Sequence, residues 1–132
     1  MGPARFTEIA LKAFMDNRQQ TGKIGEEIAV DFLKKSGYKI IERNFRCELG
    51  EIDIIAIDKN ILAFVEVRTK NSSSFCTPQE TVTFSKQKKL HKLSLYYLTK
   101  KRIKDRDCRF DVIAIDLSKG KNGIELFKNA FW

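Results

Sequence analysis

Two acidic residues stand where a buried strand would normally carry only apolar ones. Asp53 lies within residues 51–58 and Glu66 within residues 61–69, each flanked on both sides by Ile or Val. Both runs are rich in Ile, Val and Phe, and only Lys59-Asn60 separates them, a break short enough to make an antiparallel hairpin. With Asp58 facing Ile61 across that turn, Asp53 falls directly opposite Glu66, and facing residues have Cβ atoms about 4.5–5.5 Å apart. Like charges at that distance repel, so something positive has to stand between them. Side-chain alternation sets Glu51, Asp53, Ile55 and Ile57 on one face, with Phe64, Glu66 and Arg68 on the same face of the partner strand, and brings Arg68 opposite Glu51. Two readings follow. In one, Arg68 and nearby lysines neutralise ordinary carboxylates at the open end of the hairpin. In the other, two hard oxygen donors coordinate Mg²⁺ or Mn²⁺ through carboxylates and water. An odd-numbered loop, or a bulge, would put the two acids on opposite faces and remove the site.

The elements around the hairpin decide what else can reach it. Over residues 21–36, Ile24, Ile28, Ala29, Phe32 and Leu33 recur with helical period, and Gly37 follows where a helix C-terminal glycine belongs. On that helix Glu26 falls at the margin of the apolar stripe beside Leu33, facing along the core edge, whereas Glu27 falls on the far side. Residues 38–46 form the strand before the hairpin. A second helix starts from Ser85 as N-cap and runs through Leu90, Leu93 and Tyr97. Residues 109–116 read as a strand, 119–123 as a turn and 124–127 as a shorter strand. Near the start of the chain, Phe6, Ile9, Ala10, Ala13 and Phe14 give residues 4–16 the pattern of a short amphipathic helix, which packs on the main core or on a second subunit.

At 132 residues the chain fits one domain, and 42% apolar with 32% charged residues is a globular composition. The longest uninterrupted apolar run, Ile61 to Val65, is far short of the roughly 18 residues a membrane span requires. Three widely spaced cysteines, Cys47, Cys76 and Cys108, form no CxxC pair and argue against a disulfide framework or a zinc knuckle. A cytoplasmic chain is the expectation. Its formal charge is +8, and nine basic residues with a single acid lie between Lys86 and Arg106, so this one stretch carries the whole excess. A positive face so concentrated attracts a polyanion, most commonly nucleic acid, because each neutralised phosphate releases condensed counterions.

Several short motifs occur together and in order: Gly22-x-x-Gly25-Glu26, Gly37-Tyr38, Asn44-x-Arg46, Gly50-Glu51-Ile52-Asp53-x-Ile55-Ala56, Phe64-Val65-Glu66-Val67-Arg68 and Arg109-Phe110-Asp111-Val112. Over about residues 17–131 this ensemble resembles the YraN family of bacterial proteins, itself similar to the restriction endonuclease-like superfamily that includes archaeal Holliday-junction resolvases. The resemblance implies an α/β fold with an αβββαβ core, a central mixed sheet flanked by helices. It also implies a single endonuclease-like domain over residues 17–132 and an N-terminal helical extension over 1–16. Its signature is an acidic residue followed by D…(D/E)xK on the hairpin. Position by position, Glu26 takes the helix acid, Asp53 the aspartate, Glu66 the glutamate and Arg68 the lysine, and Gln87 and Lys89 resemble a resolvase helix motif more distantly. No proline precedes Asp53, and Arg68 departs from lysine. Arginine stays protonated and can position or stabilise negative charge but cannot accept a proton; Lys70, two residues on, is the other cation in reach.

The function these readings imply is metal-dependent hydrolysis of a phosphodiester in DNA, with selection by shape such as branches, flaps or ends. Asp53, Glu66 and Glu26 hold Mg²⁺ or Mn²⁺, Arg68 contacts the phosphate, and Lys86, Gln87, Lys88, Lys89 and Lys92 grip the backbone without reading sequence. A non-catalytic nucleic-acid-binding module on a degenerate nuclease fold is the main rival. A protein-interaction or assembly subunit, docking through residues 4–16 with a homodimer as one form, is the third class. His91, the only histidine, reads as a solvated or core-edge residue, and Asp111 as a strand-start residue or a further acidic neighbour of the site.

Overall fold

A computed structural model describes residues 21–70 and 82–131. Five strands, β1 (Lys39–Cys47), β2 (Gly50–Asp58), β3 (Ile61–Lys70), β4 (Cys108–Asp116) and β5 (Ile124–Phe131), form one sheet in chain order. Neighbours pair antiparallel except β3 and β4, which run parallel. A parallel pair cannot be closed by a tight turn, and its crossover carries helix α2 (Phe84–Lys100). Helix α1, whose described part covers residues 21–35, precedes β1.

The central strands carry near-continuous apolar runs because helices cover both faces. On one face Ile55, Phe64 and Val112 pack beneath Leu90, Leu93 and Tyr97 of α2. On the other, Ile54, Ala56, Val65 and Ile113 pack beneath Ala29, Val30 and Leu33 of α1. This is an α/β fold with a mixed five-stranded sheet, compatible with a restriction endonuclease-like core. Among the described residues no helix is long and apolar enough to cross a membrane. Residues 4–16 and Cys76 lie outside the described residues.

Three local expectations are corrected. The N-cap of α2 is Thr83, not Ser85: its hydroxyl accepts from the Lys86 N–H at 3.2 Å, so the helix begins one turn's edge earlier, at Phe84. Strand β5 reaches Phe131 and not Phe127, because a register shift opposite Phe110/Val112 and a positive φ at Asn129 interrupt the apolar alternation without ending the pairing. On α1 the buried stripe is Ala29, Val30 and Leu33, while Ile24 remains 48% exposed.

Gly25 fixes how closely α1 approaches the sheet. A Cβ there would overlap the Thr69 side chain near the end of β3, so glycine is what lets the helix sit down and deliver Glu26, its next residue, toward the hairpin. Gly22, one turn earlier, has open space around its would-be Cβ. Gly→Ala in a helix ordinarily gains up to about 1 kcal/mol, whereas overpacking costs about 1–3 kcal/mol. Gly22→Ala is therefore expected to be neutral or stabilising, and Gly25→Ala to lower the urea midpoint, with Thr69→Ala in the same chain recovering part of the loss. Equal effects at the two glycines would contradict the close contact.

Candidate active site

The hairpin register is the expected one, from Asp58↔Ile61 at the turn to Ile54↔Val65. One residue further, the ladder gives way. The Asp53 side chain itself accepts the Val67 N–H at 2.8 Å, taking the part a strand carbonyl would play. Strict alternation lapses here, since Ile52 joins the same cluster as Ile55. Across β1, Asn44 sits between the pairs Arg43↔Ile54 and Phe45↔Ile52, at a φ of +52°, a left-handed conformation that asparagine tolerates. The sheet is thus irregular on both strands at the level of Asp53.

Around this irregularity four carboxylates gather. Carboxylate oxygens of Glu26 on α1, Glu51 and Asp53 on β2 lie within 4.8 Å of one another, close enough to share one cation. Glu66, buried on β3, stands in hydrogen-bond contact with Asp53. Its charge is met by the Lys86 ammonium, 3.0 Å away on the first turn of α2. Burial first, and then the neighbouring Glu66 carboxyl, push the Asp53 carboxyl from its ordinary 3.8 up to about 8, against the pull of the Val67 N–H and Lys86. An all-oxygen donor set of this kind suits hard cations such as Mg²⁺ or Mn²⁺.

Two polar residues hold the cluster in place. With its amide nitrogen turned toward the acids, the orientation that satisfies both amide atoms best, Asn44 donates to Glu51 at 2.8 Å and to Glu26 at 3.1 Å. Arg46 pairs with Glu51 at 3.1 Å, so the partner of Glu51 is this arginine on β1.

The site residues expected from sequence separate into groups. Asp53 and Glu66 come together, with Glu26 close to Asp53. Lys86 and Lys89 line one hollow with Glu51, Asp53 and Glu66, about 200 Å³ in volume. Lys88 and Lys92 instead line a second hollow with Gln87, whose amide nitrogen also donates to the Val82 carbonyl at 2.9 Å and so steadies the entry to α2. Arg68 lies partly buried two residues beyond Glu66. Glu51 and Asn44 were not singled out from the residues, although both sit inside motifs quoted above. Asp111 belongs to a different cluster at the turn end of the hairpin. It is wholly buried and accepts from Tyr38 (2.8 Å), Arg109 (2.9 Å) and the Asn129 N–H (2.9 Å), while Arg109 also reaches Asp58 at 2.6 Å. These bonds tie β2, β4 and β5 together, which is a structural role.

The raised Asp53 carboxyl gives a signed prediction. Between about pH 4 and pH 8 the folded chain keeps a proton that the unfolded chain releases, so this group's contribution to stability falls as pH rises through that window and levels off above it. In buffer free of divalent cations, Asp53→Asn removes that fall, and its thermal midpoint relative to the wild type is expected to rise from pH 5 to pH 8. Parallel pH profiles for the two proteins would refute the assignment.

Comparison with known proteins agrees with the motif pattern. The model of "Uncharacterised protein family UPF0102", the YraN family, matches residues 25–115. A UPF0102 protein of Moorella thermoacetica is 47% identical over 116 residues, covering 86% of this chain and 97% of its own. One from Clostridium botulinum strain Hall is 50% identical over 113 residues, covering 83% and 92% respectively. A third, from Syntrophus aciditrophicus, is 44% identical over 117 residues, covering 89% and 92%. The matched span holds every carboxylate of the cluster, Asn44 and Lys86, and with identity this high over nearly the full length of these relatives the chain belongs to the UPF0102 family.

Proposed function

We propose that this chain is a cytoplasmic, divalent-cation-dependent DNA endonuclease that hydrolyses phosphodiester bonds and selects its substrate by shape, such as branches, flaps or ends. Residues 17–132 would act as its one catalytic domain and 1–16 as an extension. The observation that carries this reading is the meeting of Glu26, Glu51 and Asp53 within 4.8 Å, with Glu66 against Asp53 and the Lys86 ammonium 3.0 Å from Glu66. Neither isolated surface acids nor a purely structural ion pair calls for three carboxylates and two lysines in one hollow with a fourth acid, Glu26, beside it.

Glu26, Glu51, Asp53 and Glu66 would hold Mg²⁺ or Mn²⁺. When bound, such a cation lowers the pKa of water and stabilises charge growing on a phosphate. The chain's own residues do the rest. Lys86, anchored on Glu66, has its ammonium where it can orient the attacking water and donate to a phosphate oxygen. Arg68 adds positive charge at the strand side, and Lys89 holds the backbone of the bound strand. Asn44 and Arg46 keep Glu26 and Glu51 aimed at the cation. Because phosphate contacts are sequence-blind, discrimination falls to the shape of the DNA.

The second reading, a non-catalytic DNA-binding module, is favoured by one observation: arginine at position 68, where the resemblance places lysine. A single experiment separates the two. Labelled four-way-junction, flap, single-stranded and duplex DNA are incubated in Mn²⁺ or Mg²⁺ with wild type, Asp53→Ala, Glu66→Ala and Lys86→Met. The nuclease reading expects cutting that both carboxylate variants abolish and that Lys86→Met slows about 10²–10³-fold, the range for losing one preorganised donor. Salt-sensitive binding without cutting on any substrate would establish the module instead. Calorimetry supplies the metal test: Mn²⁺ binding that persists unchanged in Asp53→Ala would remove the cation from the site.

A further inference from the structure

The hollow on the outward side of α2 is built unlike an ordinary solvated helix face. Phe84, the first residue of the helix, is 70% exposed, an unusual position for a large aromatic ring. The Lys88 ammonium lies 4.7 Å from the centroid of that ring, one helical turn on. Phe84, Gln87, Lys88, His91 and Lys92 enclose a hollow of about 490 Å³, within the size range of small-ligand pockets. The first turn of α2 contains no acid of its own, and Lys88 and Lys92 add positive charge on this face.

An exposed aromatic among cations at a positive helix end combines what one kind of ligand needs, a flat π-face and a phosphate beside it. Lys86, two residues on and so about 200° around the helix axis, touches the carboxylate cluster on the opposite face of α2. A DNA strand whose phosphate reached that cluster would present a base to the ring only further along its length, after passing the N-terminal end of α2. A paired base would not serve, because its face is already covered by the duplex.

We infer that Phe84 is a stacking platform for one unpaired base of a DNA strand, with Lys88 and Lys92 holding the phosphates that flank it. This rests on the nuclease reading and narrows it: the substrate carries a single-stranded segment long enough to pass from the bond to be cut round the end of α2, as a flap or frayed end does. His91, its ring 6.2 Å from that of Phe110, forms the inner wall of the hollow.

The test is fluorescence anisotropy at fixed salt with three labelled DNAs, a single strand, a fork with one single-stranded arm, and a blunt duplex, in Ca²⁺ so that no cutting intervenes. Wild type is compared with Phe84→Ala and Phe84→Trp. Phe84→Ala is expected to weaken the single strand and the fork by about 5- to 150-fold, the range for losing one base stack. It should leave the duplex within about twofold, and Phe84→Trp should restore binding. Quenching of 2-aminopurine in the single-stranded arm by wild type and by Phe84→Trp, but not by Phe84→Ala, would report the stack itself. If the wild type binds the DNAs and Phe84→Ala weakens none of them, or weakens all three alike, the platform is wrong and the nuclease reading stands. If the wild type binds no DNA at all, the nuclease reading fails and takes the platform with it.

Discussion

The whole site depends on a backbone hydrogen bond that goes to a side chain. Where the β2–β3 ladder would continue, the Asp53 carboxylate accepts the Val67 N–H at 2.8 Å. A buried strand N–H left without an acceptor is costly, so the two strands can part only because this acceptor is supplied from within. A carboxyl group fits that duty in either protonation state, since even the protonated acid keeps a carbonyl oxygen that accepts. The same bond then pins an ionisable group in a half-buried place, with Glu66 beside it and Glu26 and Glu51 within reach. Burial and repulsion raise its carboxyl toward neutrality, and the N–H and Lys86 hold it down. Poised near neutral pH, the cluster changes its charge state readily when a cation arrives.

The neighbours supply what that balance lacks. Asn44 offers two donors to two different acids, and it can do so because its left-handed backbone turns the amide toward α1 and β2 together. Thr83 has a less direct part. By starting α2 at Phe84 it sets the phase of the whole helix. That phase sends Lys86 and Lys89 to the carboxylates, Leu90 and Leu93 into the core, and Lys88 with Lys92 to the opposite side. Six positive or apolar side chains on one helix are sorted from a start that a single hydroxyl caps. Gly25 does the corresponding work for α1, setting the depth at which Glu26 arrives.

Much of this was legible in the sequence, and each failure has its own physical cause. The two-residue break at Lys59-Asn60 fixes the hairpin register, and with it the meeting of Asp53 and Glu66, because nothing between the turn and Ile54 disturbs the pairing. The strict period of two stops being a guide one residue later, where Asp53 binds Val67. That lapse is why Glu51 lies with Glu26 and Asn44 and takes Arg46 as its ion-pair partner. The pairing of Lys86 with Glu66 was hidden for another reason. It joins a strand to a helix across residues 71–81, and no local pattern reports which lysine of a basic run points inward. The end of β5 was obscured by polar Lys128 and Asn129, which sit in the strand because Asp58 and Asp111 receive them.

The order of the strands has a kinetic corollary. β1, β2 and β3 are successive antiparallel neighbours, joined by turns of two residues, so Asp53, Glu51, Glu66 and Asn44 all lie on a meander that closes only short loops. Parallel pairing of β3 with β4 is different: Leu62 meets Cys108 and Lys70 meets Asp116, contacts far apart in the chain whose closure is entropically slower. Helix α2 lies within that long closure, and so does Lys86. The acids are therefore assembled on a locally formed scaffold, whereas the lysine that neutralises them arrives with the slow step. Until the crossover docks, the meander's acids lack the Lys86 ammonium, and Arg46 on β1 reaches only Glu51 among them. Folding of this chain should for that reason be faster in the presence of a divalent cation or raised salt, an acceleration that resides in the closing of the β3–β4 crossover and not in the hairpins.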